Sequence, residues 1–215
     1  MKSLVVLIVA TGTLLAHSQT PHRSLTGDIK GIVTDRNGAP IAAATVYAVP
    51  QGLAFEDAIP RSVKTDRNGA FDFRGGFQFE TYKLYARKDA DAYPDPLDSF
   101  YADAKAEAPS ADLTQSHPSA TVAVKAGQRA GVISGRVIDA STGAALKARL
   151  GFEDSEGHGH SVLVNGNYRI LVPPGKDVTL MVTLLEATSV RSQLPVAPLR
   201  LEPGQYIYMD LPVSR

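Results

Sequence analysis

The chain has 215 residues, with 22 Lys+Arg balanced by 22 Asp+Glu, no Cys and no Trp. Hydrophobic residues make up 44%, enough for a packed core, and the neutral balance lacks the basic excess of a nucleic-acid binder. The missing Cys excludes disulfides, thiolate metal sites, cysteine nucleophiles and lipid attachment through Cys.

The N-terminus reads as a secretory signal peptide over residues 1–18. Lys2 is the positive start, Ser3 to Ala16 is almost purely apolar, and Ala16-His17-Ser18 is a small-x-small cleavage site. That apolar run, about 14 residues, is too short for a comfortable membrane span. The mature chain is expected to start near Gln19, with no membrane span of its own and a secreted or periplasmic address. Absent disulfides in an exported chain favour a bacterial context.

Strand signals then follow in order. In Tyr82-Lys83-Leu84-Tyr85-Ala86, positions 82, 84 and 86 form one face; Val122 and Val124 share another. Val178, Leu180, Val182 and Leu184 are all apolar at alternate positions, and Ile207, Met209 and Leu211 alternate with Tyr206, Tyr208 and Asp210. Between them lie turn signals. Asp35-Arg36-Asn37-Gly38 and Asp66-Arg67-Asn68-Gly69 are the same tetrapeptide, Asn165-Gly166 repeats the dipeptide, and Pro173-Pro174-Gly175 is a further turn. Asn-Gly with positive φ at both residues predicts tight hairpins.

The chain also repeats itself. Gly31-Ile32-Val33-Thr34-Asp35 is echoed by Gly135-Arg136-Val137-Ile138-Asp139. Asn68-Gly69-Ala70-Phe71-Asp72-Phe73 is echoed by Asn165-Gly166-Asn167-Tyr168-Arg169-Ile170. Tyr82-Leu84-Ala86 corresponds to Val178-Leu180-Val182. The reading is an all-β protein of two tandem Greek-key-type β-sandwich domains after the signal peptide, residues 24–129 and 130–215, joined without a flexible linker. An acidic insertion, residues 89–118, breaks the repeat with seven acidic residues, one Lys and four Pro. It reads either as a solvated excursion with a short helical turn at Asp103–Ala108 or as a ligand-facing loop.

These residues resemble the carboxypeptidase regulatory-like domain, a transthyretin-like β-sandwich. The first half fits at Gly31, Val33, Asp35, Gly38, Pro40, Ile41, Ala44, Val46, Thr65, Asp66, Gly69, Phe71, Phe73, Tyr82, Leu84 and Ala86. The second fits more loosely, at Gly135, Val137, Asp139, Gly143, Gly166, Tyr168, Ile170, Pro174, Gly175 and Leu180; it lacks a Pro after Gly143 and a Thr-Asp before Asn165. The resemblance implies a non-catalytic accessory module that acts beside peptidases, receptors or envelope proteins.

Catalytic constellations are missing from the sequence. No His has a Glu three residues on, as a carboxypeptidase zinc site needs, and no His-Glu-x-x-His, Gly-x-Ser-x-Gly elbow or phosphate loop occurs. The protein is therefore expected to be neither an enzyme nor a cofactor carrier. His158 and His160, at i and i+2, are a weak metal candidate against a solvated hairpin tip. Asp35 and Asp66 begin like calcium loops, but position twelve is Val46 or Phe77 where a Glu is needed. The ligand-binding candidates are Tyr93, Asp95, Asp98, Phe100 and Tyr101 in the insertion, and Tyr206 and Tyr208 on the last strands. Sugar rings stack on flat aromatic faces, and carboxylates accept their hydroxyls. Two readings stay open: a binding module for polysaccharide of the envelope or extracellular matrix, or a structural module that binds an envelope protein through sheet edges or loops.

Overall fold

A computed structural model describes residues 26–51, 60–95, 108–185, 191–193 and 198–214. The signal peptide and Asp98, Phe100 and Tyr101 lie outside the described residues, as does most of the Asp103–Ala108 turn. Strands dominate; among the described residues the helical content is one 3-10 turn, Asp89–Asp91.

The first sandwich packs two sheets. One has the order β4 (Ala70–Phe77), β1 (Gly27–Thr34), β7 (Ser119–Lys125); the other has β3 (Arg61–Lys64), β2 (Thr45–Pro50), β5 (Thr81–Arg87), β6 (Ser110–Asp112). β1 runs antiparallel to β4 and parallel to β7. The alternation read from sequence points inward as expected at Phe71, Phe73, Val122 and Val124 of one sheet and at Leu84 and Ala86 of the other, and Ile29, Val33, Val46 and Ala48 complete the core between them. Phe71, Phe73, Phe77 and Tyr82 form an edge-to-face series, with successive ring centroids 5.9, 5.5 and 4.8 Å apart. Burial pushes the Tyr82 hydroxyl up to about 12, and its hydrogen bond to Glu80 adds to the effect.

A second core is built by β8 (Gly131–Asp139), β9 (Lys147–Asp154), β10 (Gly159–Asn165), β11 (Asn167–Val172), β12 (Asp177–Leu184), β13 (Arg191–Gln193), β14 (Leu199–Arg200), β15 (Tyr206–Tyr208) and β16 (Leu211–Val213). The pairing order β11-β8-β15 reproduces β4-β1-β7, and β10-β9-β12 reproduces β3-β2-β5. A single pairing across the tight turn, Asn165 to Asn167, joins the two layers into one nine-stranded sheet, with β14 and β16 pairing beside its main path.

The described part of the insertion includes a strand and core residues. β6 adds to the edge of β5, and Ala111 and Leu113 enter the first core. Small apolar side chains at alternate positions let this acidic stretch serve as an edge strand.

The Asn-Gly turns differ from the hairpins the dipeptides suggest. Neither Asn37 nor Asn68 has positive φ; the following Gly38 (+86°) and Gly69 (+74°) do. The preceding aspartates are responsible. Asp35 Oδ1 accepts from the N–H of Asn37 (2.9 Å) and Ala39 (2.8 Å), and Asp66 Oδ1 from Asn68 (2.8 Å) and Ala70 (2.9 Å). These Asx caps hold the middle residues right-handed and leave only glycine to reverse the chain. β1 does not pair with β2, and β3 and β4 lie in different sheets, so both turns carry the chain across the sandwich.

Asp139 caps the equivalent turn of the second sandwich. The Ser141 hydroxyl, then the Thr142 N–H, hold its carboxyl at about 2, below the usual 3.8. Because the folded value is depressed, its contribution to stability is fully present above 3.8 and is lost as pH falls through about 2. In denaturant titrations across this range, Asp139→Asn is expected to be less stable than wild type at neutral pH, with the gap closing as pH approaches 2. The two identical tetrapeptides are expected to respond unequally to substitution. A side chain at Gly69 would begin 2.7 Å from the Val33 carbonyl, whereas Gly38 has nothing within 4 Å. Gly69→Val should lower unfolding stability by about 3 kcal/mol and Gly38→Ala by about 1 kcal/mol, read from denaturation midpoints.

Candidate ligand-binding surface

β15 closes the sheet path at one edge, running parallel to β8 with Tyr206 beside Val132 and Tyr208 beside Ser134. Period two turns Ile207 toward the core and both tyrosines outward, 59% and 62% exposed. The rings are held at their polar ends. The Tyr206 hydroxyl hydrogen-bonds the buried Ser134 hydroxyl. Asp210 accepts from the Arg136 backbone N–H at 2.9 Å and from its guanidinium, and it also bonds the Tyr208 hydroxyl. The Arg136 hydrogen bond holds the Asp210 carboxyl below its usual range, and the same bond raises the Arg136 guanidinium. The result is a two-ring aromatic face, fixed by its hydroxyls and bordered by a carboxylate and a guanidinium. The alternation made the tyrosines legible in sequence, with Asp210 two residues further along the same face; Ser134 and Arg136 were missed, because only the pairing of β8 with β15 and β16 brings them alongside.

The insertion candidates lie elsewhere. Residues 88–95 run between the two sandwiches. Ala92 O accepts from Ala130 N–H at 2.7 Å, Asp91 O from Arg129 Nε at 3.0 Å, and Ala90 O from the Arg169 guanidinium at 3.4 Å. Tyr93 is half-buried against the first core, under the Arg129 guanidinium (5.9 Å to the ring centroid). Burial, then the neighbouring Asp35 carboxylate, raises its hydroxyl. It faces a cleft of about 330 Å³ shared with Asp35, Arg36 and Arg129. Asp95 pairs with Arg87 at 2.8 Å and borders a separate cleft of about 240 Å³, beside Arg169 and His160. Tyr93 and Asp95 therefore face different clefts, and neither is on the β15 face.

His158 and His160 have different neighbours. β10 starts at Gly159, so His158 belongs to the preceding turn and the i, i+2 geometry of a strand does not apply. Its Nδ1 lies 3.5 Å from Asp154 and 3.4 Å from Glu156, while the His160 ring sits 6.5 Å from that of Phe152. Ligand atoms of Asp154, Glu156 and His158 lie within 4.8 Å of one another. The Lys176 ammonium is already there, 3.4 Å from Asp154 and 3.6 Å from Glu156. Burial raises the Asp154 carboxyl, but the N–H groups of His158 and Glu156 and the Lys176 ammonium outweigh it and leave it lowered. The cluster is an ion-paired cap on the β9–β10 hairpin.

Residues 28–91 match the family profile of the carboxypeptidase regulatory-like domain. The match spans β1 to β5 and the 3-10 turn; the second sandwich lies beyond it. Among solved structures, the chain is similar to a Streptococcal ancillary pilin, with 15% identity and a TM-score of 0.39, covering 87% of this chain and 63% of that one. It is also similar to GBS52, the minor pilin of Streptococcus agalactiae, with 12% identity and a TM-score of 0.39, covering 86% and 94%. The Bacillus anthracis TIE protein is similar at 13% identity and a TM-score of 0.35, covering 87% and 34%. The chain thus spans under two thirds of the first and about one third of the last. Comparison with curated proteins gives no match.

Tyr208→Ala, at a largely exposed ring, is expected to change unfolding stability by no more than about 0.5 kcal/mol, whereas Tyr206→Ala, which takes the partner from the buried Ser134 hydroxyl, should cost about 1–2 kcal/mol. Tyr168, buried with its hydroxyl on the Met209 carbonyl, should cost about 3–5 kcal/mol when cut to Ala. Denaturant midpoints of the three variants check this contrast.

Proposed function

We propose that this protein, whose residues 28–91 are a carboxypeptidase regulatory-like domain, is an exported, non-catalytic module of two tandem sandwich domains that binds polysaccharide of the cell envelope or extracellular matrix. The observation that carries this reading is the Tyr206/Tyr208 face beside Arg136 and Asp210. Two residues along a strand span about 6.6 Å, so adjacent rings can lie under successive sugar units. The flat rings take the C–H faces, and the ion pair offers a donor and an acceptor to hydroxyls. Export is supported by the N-terminal sequence pattern. Among the described residues no helix is long and apolar enough to cross a membrane.

A second reading, docking of an envelope protein, is favoured by the position of β15 at the end of its sheet, where an extended partner segment could add a strand.

Co-sedimentation with peptidoglycan and a panel of insoluble polysaccharides separates the two. The wild-type chain is expected in the pellet of at least one polymer. The Tyr206→Ala/Tyr208→Ala double variant should stay in the supernatant with its circular dichroism unchanged. Retention of the double variant would rule out the β15 face, and failure of wild type on every polymer would favour protein docking.

A further inference from the structure

We infer that the cleft beside Tyr93 takes the carboxylate of an acidic sugar, so that the polymer bound is a carboxylate-bearing polysaccharide. The inference rests on the polysaccharide reading above and adds the charge of the ligand and a second contact site.

The cleft encloses about 330 Å³, at the small end of ligand sites, and lies where the two sandwiches meet. Asp35, Arg36 and Asn37 come from the first turn, Tyr93 from the insertion, Arg129 from the connection between sandwiches and Pro203 from the turn before β15. Two arginines and one aspartate thus line it, and Asp35 Oδ1 already accepts two backbone N–H groups. The lining is left with a positive excess suited to an anion.

Arg129 is held in position. Its Nε donates to the Asp91 carbonyl, and its guanidinium lies over the Tyr93 ring. With Nε engaged, the terminal nitrogens of the fork are the donors this cleft presents, in a geometry that meets a carboxylate on two oxygens.

The cleft wall also reaches the turn before β15 through Pro203. The guanidinium carbon of Arg129 lies 3.5 Å from where a side chain at Gly204 would begin, and Gly204 is two residues before Tyr206. A chain of several sugars lying along β15 would pass the Pro203–Gly204 turn and bring its next unit to Arg129.

The test uses polygalacturonate and its fully methyl-esterified form, which share a backbone and differ in charge. Affinity electrophoresis or calorimetry with the full chain should show the acid form binding at least about tenfold tighter at low ionic strength, with the difference shrinking as salt screens the contact. Arg129→Gln and Arg36→Gln should each bring the acid form toward the affinity of the ester and leave the ester unaffected; the exposed Arg36 serves as the variant with the smaller risk to folding. Tyr206→Ala/Tyr208→Ala should weaken both forms. Equal affinity for the two polymers, or Arg variants that behave as wild type, overturns the acidic cleft and leaves the β15 face standing if the tyrosine variant still loses the ester. Binding of neither polymer overturns the acidic cleft; whether the β15 face falls with it is decided by the co-sedimentation panel.

Discussion

Each sandwich depends on one corner where the chain leaves a sheet and crosses to the other. In the first, Val33 N–H donates to the Gly69 carbonyl at 2.8 Å, and its carbonyl accepts from Ile41 N–H at 3.0 Å. In the second, Val137 donates to Gly166 at 2.8 Å and accepts from Leu146 at 3.0 Å. A sheet-switching segment must satisfy its backbone groups in the interior or leave them unpaired there. One buried valine in each sandwich serves both the strand before the crossing and the strand after it. The Asx caps and left-handed glycines around it exist to make that crossing tight.

Once the corner is closed, the rest of the geometry follows from alternation. Inward positions fill two separate cores, and outward positions are left for other uses. The tyrosine face arises where this rule meets the end of a sheet: β15 has a neighbour on one side only, so its outward rings stay uncovered. Hydroxyl contacts to Ser134 and Asp210 then restrain rings that would otherwise rotate, which lowers the ordering cost of meeting a flat ligand.

The insertion has a different role from the one its composition suggests. Acidic, proline-bearing sequence usually belongs in solvent. Here residues 90–92 give three consecutive carbonyls to Arg169, Arg129 and Ala130, which ties the first sandwich to the second. On the insertion's side only backbone carbonyls make these bonds, so its side-chain composition carries no trace of them. The clefts on either side of this segment, with Tyr93 at one and Asp95 at the other, are products of that tie.

The sequence by itself determined the all-β class, the inward faces from Phe71 and Phe73 to Val178 and Leu184, the glycine-bearing turns and the outward pair Tyr206 and Tyr208. Each of these is set within a few residues by side-chain period or by backbone freedom at glycine. The tertiary structure decided what those turns connect, replacing expected hairpins with sheet crossings. It also put Lys176 among the acidic groups beside His158, and set Ser134 and Arg136 beside the tyrosines. Arg129 over Tyr93 belongs to the same class. Such contacts join residues many positions apart, through strand register and the packing of one sandwich on the other. No local pattern encodes that register, because it is fixed only when both cores are buried together.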